Sequence, residues 1–188
     1  MRKLKLQVQM SVDGFIAGAN GEMDFAVWEW DDALKQYVTD LTAPVDCIVL
    51  GRKLAEGFIP YWAAVAADPA NPEQQDGERF TATAKVVFSR TLAEAPWPNT
   101  ALATGDLATE INRLKAQPGG DIIAYGGSAF VASLIRHGLI DEYHLFVNPA
   151  AIGRGLAIFG ELERKQALTL VKATPFACGI VCLHYIPQ

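Results

Sequence analysis

The amino-acid sequence predicts an α/β fold, in which helices on both faces cover a mostly parallel central sheet with an antiparallel C-terminal edge. Short apolar runs, such as those at 47–50 and 122–125, are typical of strands that are buried on both faces. Helical patterns follow these runs along the chain, which favours parallel strands joined by helices. The last strand patterns have no helix between them and therefore favour antiparallel pairing.

The elements follow from periodicity and from turn residues. Leu4, Leu6, Val8 and Met10 alternate with polar residues and predict a first strand. A long loop at 11–30 follows, and then a helix at 31–41 with Asp31 or Asp32 as its N-cap. Further strands are predicted at 47–50, 85–89, 100–103, 122–125, 143–147, 168–173 and 180–186. Further helices are predicted at 52–58, at 106–116 and from Gly127 to about Ile135.

One segment has no predicted regular structure. The stretch at 60–83 contains three prolines and Gly77, which predicts an exposed excursion. No internal repeat or low-complexity linker divides the chain, so residues 1–188 are expected to form a single domain.

Composition restricts the classes of partner. The 188 residues are 51% hydrophobic and 20% charged, as in globular proteins. Sixteen basic and 21 acidic residues give a formal net charge of −5, which argues against nucleic-acid or membrane partners. Charged residues interrupt the first apolar residues, so a signal peptide is not predicted and a cytoplasmic location is expected.

The cysteines and histidines predict neither a disulfide nor a metal site. Cys178 and Cys182 lie four residues apart on a predicted strand, roughly 13 Å from one another and out of disulfide reach. Cys47 is remote in sequence, and the three histidines are scattered along the chain. We therefore expect small apolar cysteines within strands.

Three strand ends have residues that suit phosphate groups. They are Gly51, Arg52 and Lys53 after the first buried strand, Ser89 and Arg90 after the second, and Tyr125, Gly126, Gly127 and Ser128 after the third. Glycine permits close backbone approach, helix N-termini present free amides, and cations complement phosphate charge. Because ligands of open α/β sheets bind at the carboxyl ends of strands, the three motifs together predict a nucleotide site.

Each of these motifs also has a purely structural interpretation. Arg52 and Lys53 could be solvated cations after a strand–helix turn, and Ser89 could cap a turn beside a surface Arg90. The Gly126–Gly127 pair could form a tight turn that needs positive φ. The pair is not part of a G-x-G-x-x-G motif, so a standard dinucleotide-binding fingerprint is absent.

The first loop is the predicted substrate side. Asp13, Glu22 and Asp24 lie close in sequence to Trp28, and carboxylates beside aromatic rings could hold a nitrogen heterocycle. The structural alternatives are an Asp-Gly turn at Asp13 and packing of Trp28 and Trp30 over the sheet edge.

These motifs, in this order, resemble the dihydrofolate reductase-like superfamily. The similarity is greatest to the reductase domain of the bifunctional riboflavin-biosynthesis deaminase-reductase and to its stand-alone relatives. It rests on the segments 11–17, 49–53, 87–90, 125–128 and 139–143, with Pro149 and 152–155. No H-x-E with P-C-x-x-C occurs, so the zinc deaminase half is not expected.

The resemblance implies a three-layer sandwich that binds NADPH. It implies that the segment after Gly51, together with Ser89 and Arg90, holds the adenosine phosphate end. It further implies that Gly126–Gly127 backs the pyrophosphate, often through a cis peptide, and that Tyr125 lies near the nicotinamide. Asp13 matches a substrate-side aspartate, and a homodimer is implied through the C-terminal strands.

The implied activity is hydride transfer from NADPH to a small nitrogen heterocycle or Schiff base. The substrate would be a ribosylaminouracil phosphate of riboflavin biosynthesis or a pterin-like or dihydrofolate-like compound. The alternative is a non-catalytic nucleotide-binding or scaffold protein that retains the fold. An open pocket over the nicotinamide favours the reductase, whereas a pocket filled by Trp28 and Trp30 favours the alternative.

Overall fold

Ten strands and five helices make up the computed structural model, which describes residues 1–188. The strands are β1 Leu4–Met10, β2 Phe15–Ala17, β3 Val45–Gly51, β4 Ala84–Phe88, β5 Thr100–Ala103, β6 Asp121–Ala124, β7 Glu142–Val147, β8 Leu156–Ala157, β9 Leu168–Pro175 and β10 Val181–Pro187. The helices are α1 Asp32–Thr42, α2 Arg52–Ala67, α3 Gln74–Ala82, α4 Leu107–Ala116 and α5 Ser128–Arg136.

Eight of the strands form one sheet in the order β5-β4-β3-β6-β1-β7-β10-β9. The five pairs from β5 to β7 are parallel, and β10 pairs antiparallel with β7 and with β9. Strands β2 and β8 form a separate antiparallel pair. The predicted α/β fold, with its parallel centre and antiparallel C-terminal edge, is confirmed.

Helices cover both faces of the sheet, as predicted. Helices α4 and α5 pack with Leu4, Leu6 and Val8 in the largest apolar cluster. On the opposite face, α2 and α3 pack on Ile48 and Leu50, while α1 packs on β7 and β10. No helix is both long and apolar enough to cross a membrane.

The segment at 60–83 is mostly helical, so the predicted excursion is wrong. Helix α2 continues through Pro60, which lies on its exposed side, and α3 packs against α2 with Phe80 buried. A Cβ built on Gly77 would lie 2.6 Å from the backbone nitrogen of Ala66, so the two helices approach closely only because glycine is present. The other two prolines, at 69 and 72, mark only the turn between the helices.

The histidines are not all scattered in the structure. Antiparallel pairing aligns His184 of β10 with His144 of β7, and their rings stack with centroids 4.3 Å apart. Glu142, two residues before His144, lies beside both rings. Sequence spacing missed this cluster because a strand pair brings together residues that are 40 positions apart.

Candidate functional site

The predicted nucleotide motifs meet at the carboxyl edge of three neighbouring strands. Gly51 ends β3 opposite Phe88 of β4, and Val49 pairs with Ala124 of β6. The chain leaves β3 through α2 towards β4, but it leaves β6 through α5 towards β7 across the sheet. Because two adjacent strands depart in opposite directions, their carboxyl ends bound a crevice of the kind that binds ligands in open α/β sheets.

The N-termini of α2 and α5 face each other at this crevice. A Cβ built on Gly51 would lie 2.8 Å from Cβ of Phe130 in α5, and one built on Gly127 would lie 3.6 Å from Cβ of Leu54 in α2. The two helix dipoles therefore present their positive ends to a common region. We define the crevice by the strand ends at 51 and 125 and the helix starts at 52 and 128.

The caps of these two helices leave their first amides free of side-chain partners. Gly51 and Gly127 are the N-caps of α2 and α5, and neither provides a side-chain cap. In contrast, α1 and α4 are capped by Asp31 and Asp106, whose carboxylates accept from backbone amides at 2.8 and 2.9 Å. Glu73, the N-cap of α3, also makes no side-chain cap bond, but α3 follows another helix rather than a strand end. Uncapped amides at paired helix N-termini are suited to anions.

Gly126 and Gly127 adopt backbone conformations that other residues rarely adopt. Their φ angles are +146° and +80°. The chain contains no cis peptide bond, so the cis peptide that the resemblance implies at this pair is absent. Positive φ at both residues explains why the turn needs two glycines.

The predicted cationic residues lie around the crevice, and they differ in whether an acidic side chain pairs with them. Arg52 pairs with Glu56 one turn along α2 at 2.5 Å, whereas Lys53 and Arg90 are exposed. An exposed ion pair of this kind contributes little stability, so Arg52 can exchange Glu56 for a phosphate at small cost. Three positive charges are therefore available near the uncapped helix ends.

The side chains of Ser89 and Tyr125 have structural partners. The Ser89 hydroxyl is buried and accepts from the amides of Thr91 and Leu92 at 3.2 and 3.0 Å, which is the turn-capping alternative. The Tyr125 ring packs on Phe58 under the α2–α3 layer, and burial raises the pKa of its hydroxyl. These contacts favour packing roles for both side chains. Ser128 is half-buried at the first position of α5.

On the predicted substrate side, the Asp13 side chain joins two loops. Its carboxylate accepts from the backbone amides of Gly153 at 2.6 Å and Ile152 at 3.1 Å. Hydrogen bonds from the Ser11 hydroxyl and from these amides lower the pKa of Asp13. The side chain is thus ionised at neutral pH, and only part of its acceptor capacity is used.

The remaining predicted substrate residues are exposed. Glu22 bonds locally to Asn20, whose side chain lowers the pKa of Glu22, and Asp24 has no hydrogen-bond partner. Trp28 is 58% exposed and stacks on Trp30 with ring centroids 6.4 Å apart. Trp28 is thus free to cover a ligand.

Sequence reasoning missed Asn148, which is fully buried where β1 and β7 end. Its amide group donates to Gln9 at 2.9 Å and to the carbonyl of Phe146 at 3.1 Å, and its oxygen accepts from the amide of Val27 at 2.8 Å. It thereby fixes the substrate-side loop to the sheet. The signal was an Asn-Pro pair directly after a buried strand.

Two shallow hollows, each of about 440 Å³, lie at the opposite edge of the sheet. Both are lined by residues at the amino ends of β3, β4 and β5, including Asp46 and Asn99. The hollows therefore do not coincide with the crevice. The candidate site is defined by its uncapped helix ends and its cations rather than by an enclosed cavity.

Comparison with known families decides where the chain belongs. The family model described as the RibD C-terminal domain matches residues 2–182. This chain belongs to the RibD C-terminal domain family. It is 32% identical over 187 residues to the uncharacterized protein YyaP of Bacillus subtilis, covering 98% of this chain and 94% of YyaP.

Solved structures of similar proteins show the same fold. A riboflavin biosynthesis-like protein from Shewanella has a TM-score of 0.72 at 22% identity, with 100% of this chain and 99% of that chain covered. A bifunctional deaminase/5-amino-6-(5-phosphoribosylamino)uracil reductase from Thermotoga maritima has a TM-score of 0.70 at 18% identity. The match covers 100% of this chain and 57% of the Thermotoga protein. The RibD C-terminal domain fold thus extends over the whole chain.

Proposed function

We propose that this protein is an NADPH-dependent reductase that transfers a hydride to a small nitrogen heterocycle or Schiff base. The observation that carries the proposal is the pair of glycine-capped helix N-termini at the α2–α5 crevice. Their free amides, with Lys53 and Arg90 exposed at the same sheet edge, form a donor set that suits the phosphates of a dinucleotide. Membership of the RibD C-terminal domain family supports an oxidoreductase.

Two regions of the chain would bind the two phosphate-bearing parts of NADPH. The turn at Gly126–Gly127 and the first turn of α5 would hold the pyrophosphate, while Arg52, Lys53 and Arg90 would hold the adenosine phosphate end. NADPH, when bound, supplies the hydride, and the protein aligns the two rings. Ser89 acts indirectly, because its hydroxyl shapes the turn that presents Arg90.

We assign Asp13 to the substrate side as an acceptor. Its low pKa keeps it ionised, so it binds an N–H edge of the heterocycle more readily than it delivers a proton. Glu22, Asp24 and Trp28 lie on the loop between β2 and α1 and complete the proposed substrate region. Descriptions of two neighbours support this substrate class: the Thermotoga protein is described as a 5-amino-6-(5-phosphoribosylamino)uracil reductase, and a Corynebacterium diphtheriae protein as pyrimidine reductase-like.

A non-catalytic nucleotide-binding protein is the second candidate. Trp28 and Trp30 stack on one another, which is the arrangement that would fill a substrate side without catalysis. However, 58% of Trp28 is exposed, so the pair does not form a closed plug. Replacing Trp28 with alanine distinguishes the two functions: a reductase changes its KM for the heterocycle, whereas a scaffold shows no turnover before or after the change.

The adenosine-phosphate assignment predicts cofactor preference. Arg90→Ala removes an exposed guanidinium, and losing one charge-assisted phosphate contact costs about 1.5–3 kcal/mol, roughly ten- to a hundredfold in affinity. Calorimetric titration should show this loss for NADPH and a change within about threefold for NADH. Arg136→Ala, at the far end of α5, is the control and should leave both affinities unchanged. Equal affinities of the unmodified protein for NADH and NADPH would contradict the assignment.

We also propose a homodimer that uses the C-terminal strands. Strand β9 is the outer strand of the sheet, and Leu170 and Val171 on it are 50% and 52% exposed. An exposed apolar edge strand is prone to pair with another chain. Light scattering at micromolar concentration should give twice the chain mass of 20.4 kDa, and Val171→Lys should shift the mass towards one chain. A mass near 20 kDa for the unmodified protein would refute the dimer.

A further inference from the structure

The cluster of Glu142, His144 and His184 lies apart from the candidate site. Glu142 opens β7, and His144 lies four residues before Asn148, roughly 13 Å back along the strand from the carboxyl edge. The cluster is on the sheet face that α1 covers, and none of its members belongs to the proposed reductase machinery. The proposed reductase function therefore does not account for the cluster.

Three ligand-type atoms face one another in this cluster. Oε2 of Glu142 lies 3.5 Å from Nε2 of His144 and 3.8 Å from Nε2 of His184, and the three atoms lie within 4.8 Å of one another. Nε2 of His184 is buried and has no hydrogen-bond partner. A buried nitrogen without a partner costs free energy unless a proton or a metal ion satisfies it.

The surroundings of the cluster orient the ligands as outer-shell groups do at metal centres. The Tyr37 hydroxyl lies 2.9 Å from Nδ1 of His144, which leaves Nε2 of that ring to face Glu142. Lys3 donates to Oε1 of Glu142 at 2.6 Å, so that Oε2 faces the two imidazole rings. Such second contacts fix the orientation of metal-binding imidazoles and carboxylates.

The positive charges that lie near the cluster are paired or screened. The ammonium group of Lys5 is paired with Asp121 at 2.8 Å, and the Lys3 side chain is 59% exposed, so solvent screens its charge.

We propose that Glu142, His144 and His184 form a binding site for a divalent transition-metal ion such as Zn²⁺. Two imidazole nitrogens and one carboxylate oxygen are a ligand set that such ions favour, and a fourth position remains for water. The imidazole rings are 17° from parallel, so binding requires the His184 ring to turn until both lone pairs converge. The ion would pin β10 to β7 at the antiparallel edge of the sheet.

The test uses untagged, full-length protein that has been stripped with chelator and titrated with Co²⁺. The unmodified protein should bind one Co²⁺ per chain, with visible absorption bands that Zn²⁺ abolishes by competition. His184→Ala should weaken Co²⁺ binding at least tenfold. His137→Ala, which alters an exposed histidine at the end of α5, is the matched control and should bind like the unmodified protein.

Circular dichroism checks that each variant is folded, and Glu142→Gln gives a second variant that should also weaken binding at least tenfold. Binding should weaken as the pH falls, because imidazole ligands must be deprotonated. Failure of the unmodified protein to bind Co²⁺ at micromolar concentration would overturn the proposal. Equal binding by His184→Ala and His137→Ala would also overturn it. Neither result bears on the proposed reductase activity, which is assigned to residues at the carboxyl ends of the parallel strands.

Discussion

Replacing Asp13 with asparagine is expected to lower turnover by roughly 10²-fold, because a hydrogen bond from the heterocycle to a charged carboxylate is worth about 1.5–3 kcal/mol. The change removes the negative charge that would face an N–H edge of the heterocycle. It also places an amide donor where the backbone amides of Ile152 and Gly153 now donate to the carboxylate. NADPH affinity should stay within about threefold, because the proposed phosphate contacts follow other strands. Steady-state kinetics and calorimetric titration measure the two quantities.

Asp40→Asn is the matched control for this variant. Asp40 is an exposed carboxylate on α1, outside the proposed site, and its side chain bonds only to Gln36 one turn before it. We expect a much smaller change in turnover from the control than from the Asp13 variant. If Asp13→Asn retained full turnover on an identified substrate, Asp13 would be only a residue that joins two loops.

Gly127→Ala is expected to reduce cofactor affinity at least tenfold. A Cβ at this position would meet Leu54 at 3.6 Å, an ordinary contact, so the cost arises mainly from the backbone. A φ of +80° in a residue other than glycine costs on the order of 1–3 kcal/mol, and relaxation would move the amides that line the crevice. The loss of NADPH binding free energy should therefore be larger than the loss of the protein's free energy of unfolding.

Gly57→Ala controls for the effect of an added methyl group. Gly57 lies within α2, and a Cβ there meets no atom within 4 Å. Because glycine weakens a helix interior, alanine should stabilise the protein by about 0.5–1 kcal/mol and leave NADPH binding unchanged. Normal NADPH affinity in the Gly127 variant would remove the glycine pair from the cofactor site.

The parallel core could be predicted because its strands are buried on both faces. Apolar runs such as 47–50 favour a central strand that is buried on both faces. The glycines that follow two of these strands mark the starts of α2 and α5. Helix α3 could not be predicted in the same way. The segment packs as a helix because Gly77 allows it to approach Ala66 of α2 closely. This tertiary contact outweighs the turn propensity of the nearby prolines.

Strand β1 shows a second limit of local patterns. Its alternation of apolar and polar residues is typical of a half-exposed strand, yet Lys5 and Gln7 are buried. Lys5 is accommodated because its ammonium group reaches Asp121 and the carbonyl of Leu41 in α1. Periodicity predicts which residues share a face, but it does not predict that a polar face is covered.

The candidate site was predictable where backbone chemistry defines it. Glycines at strand ends predicted a nucleotide site at the carboxyl edge of the sheet, which stays a prediction; the structure shows Gly51 and Gly127 as N-caps of α2 and α5 without side-chain caps. The partners of individual side chains could not be predicted. Ser89 caps a turn, Tyr125 joins an aromatic cluster, and Asn148 fixes the substrate-side loop, and each role depends on residues brought close only by folding.

The most direct measurement is NADPH oxidation by the purified protein with a panel of pyrimidine, pterin and quinone acceptors. We expect oxidation that depends on a nitrogen heterocycle, is faster with NADPH than with NADH, and is greatly reduced in Gly127→Ala. A protein that binds neither NADPH nor NADH would contradict the assignment of the crevice. A protein that binds NADPH tightly but reduces no acceptor in the panel would favour the non-catalytic nucleotide-binding function instead.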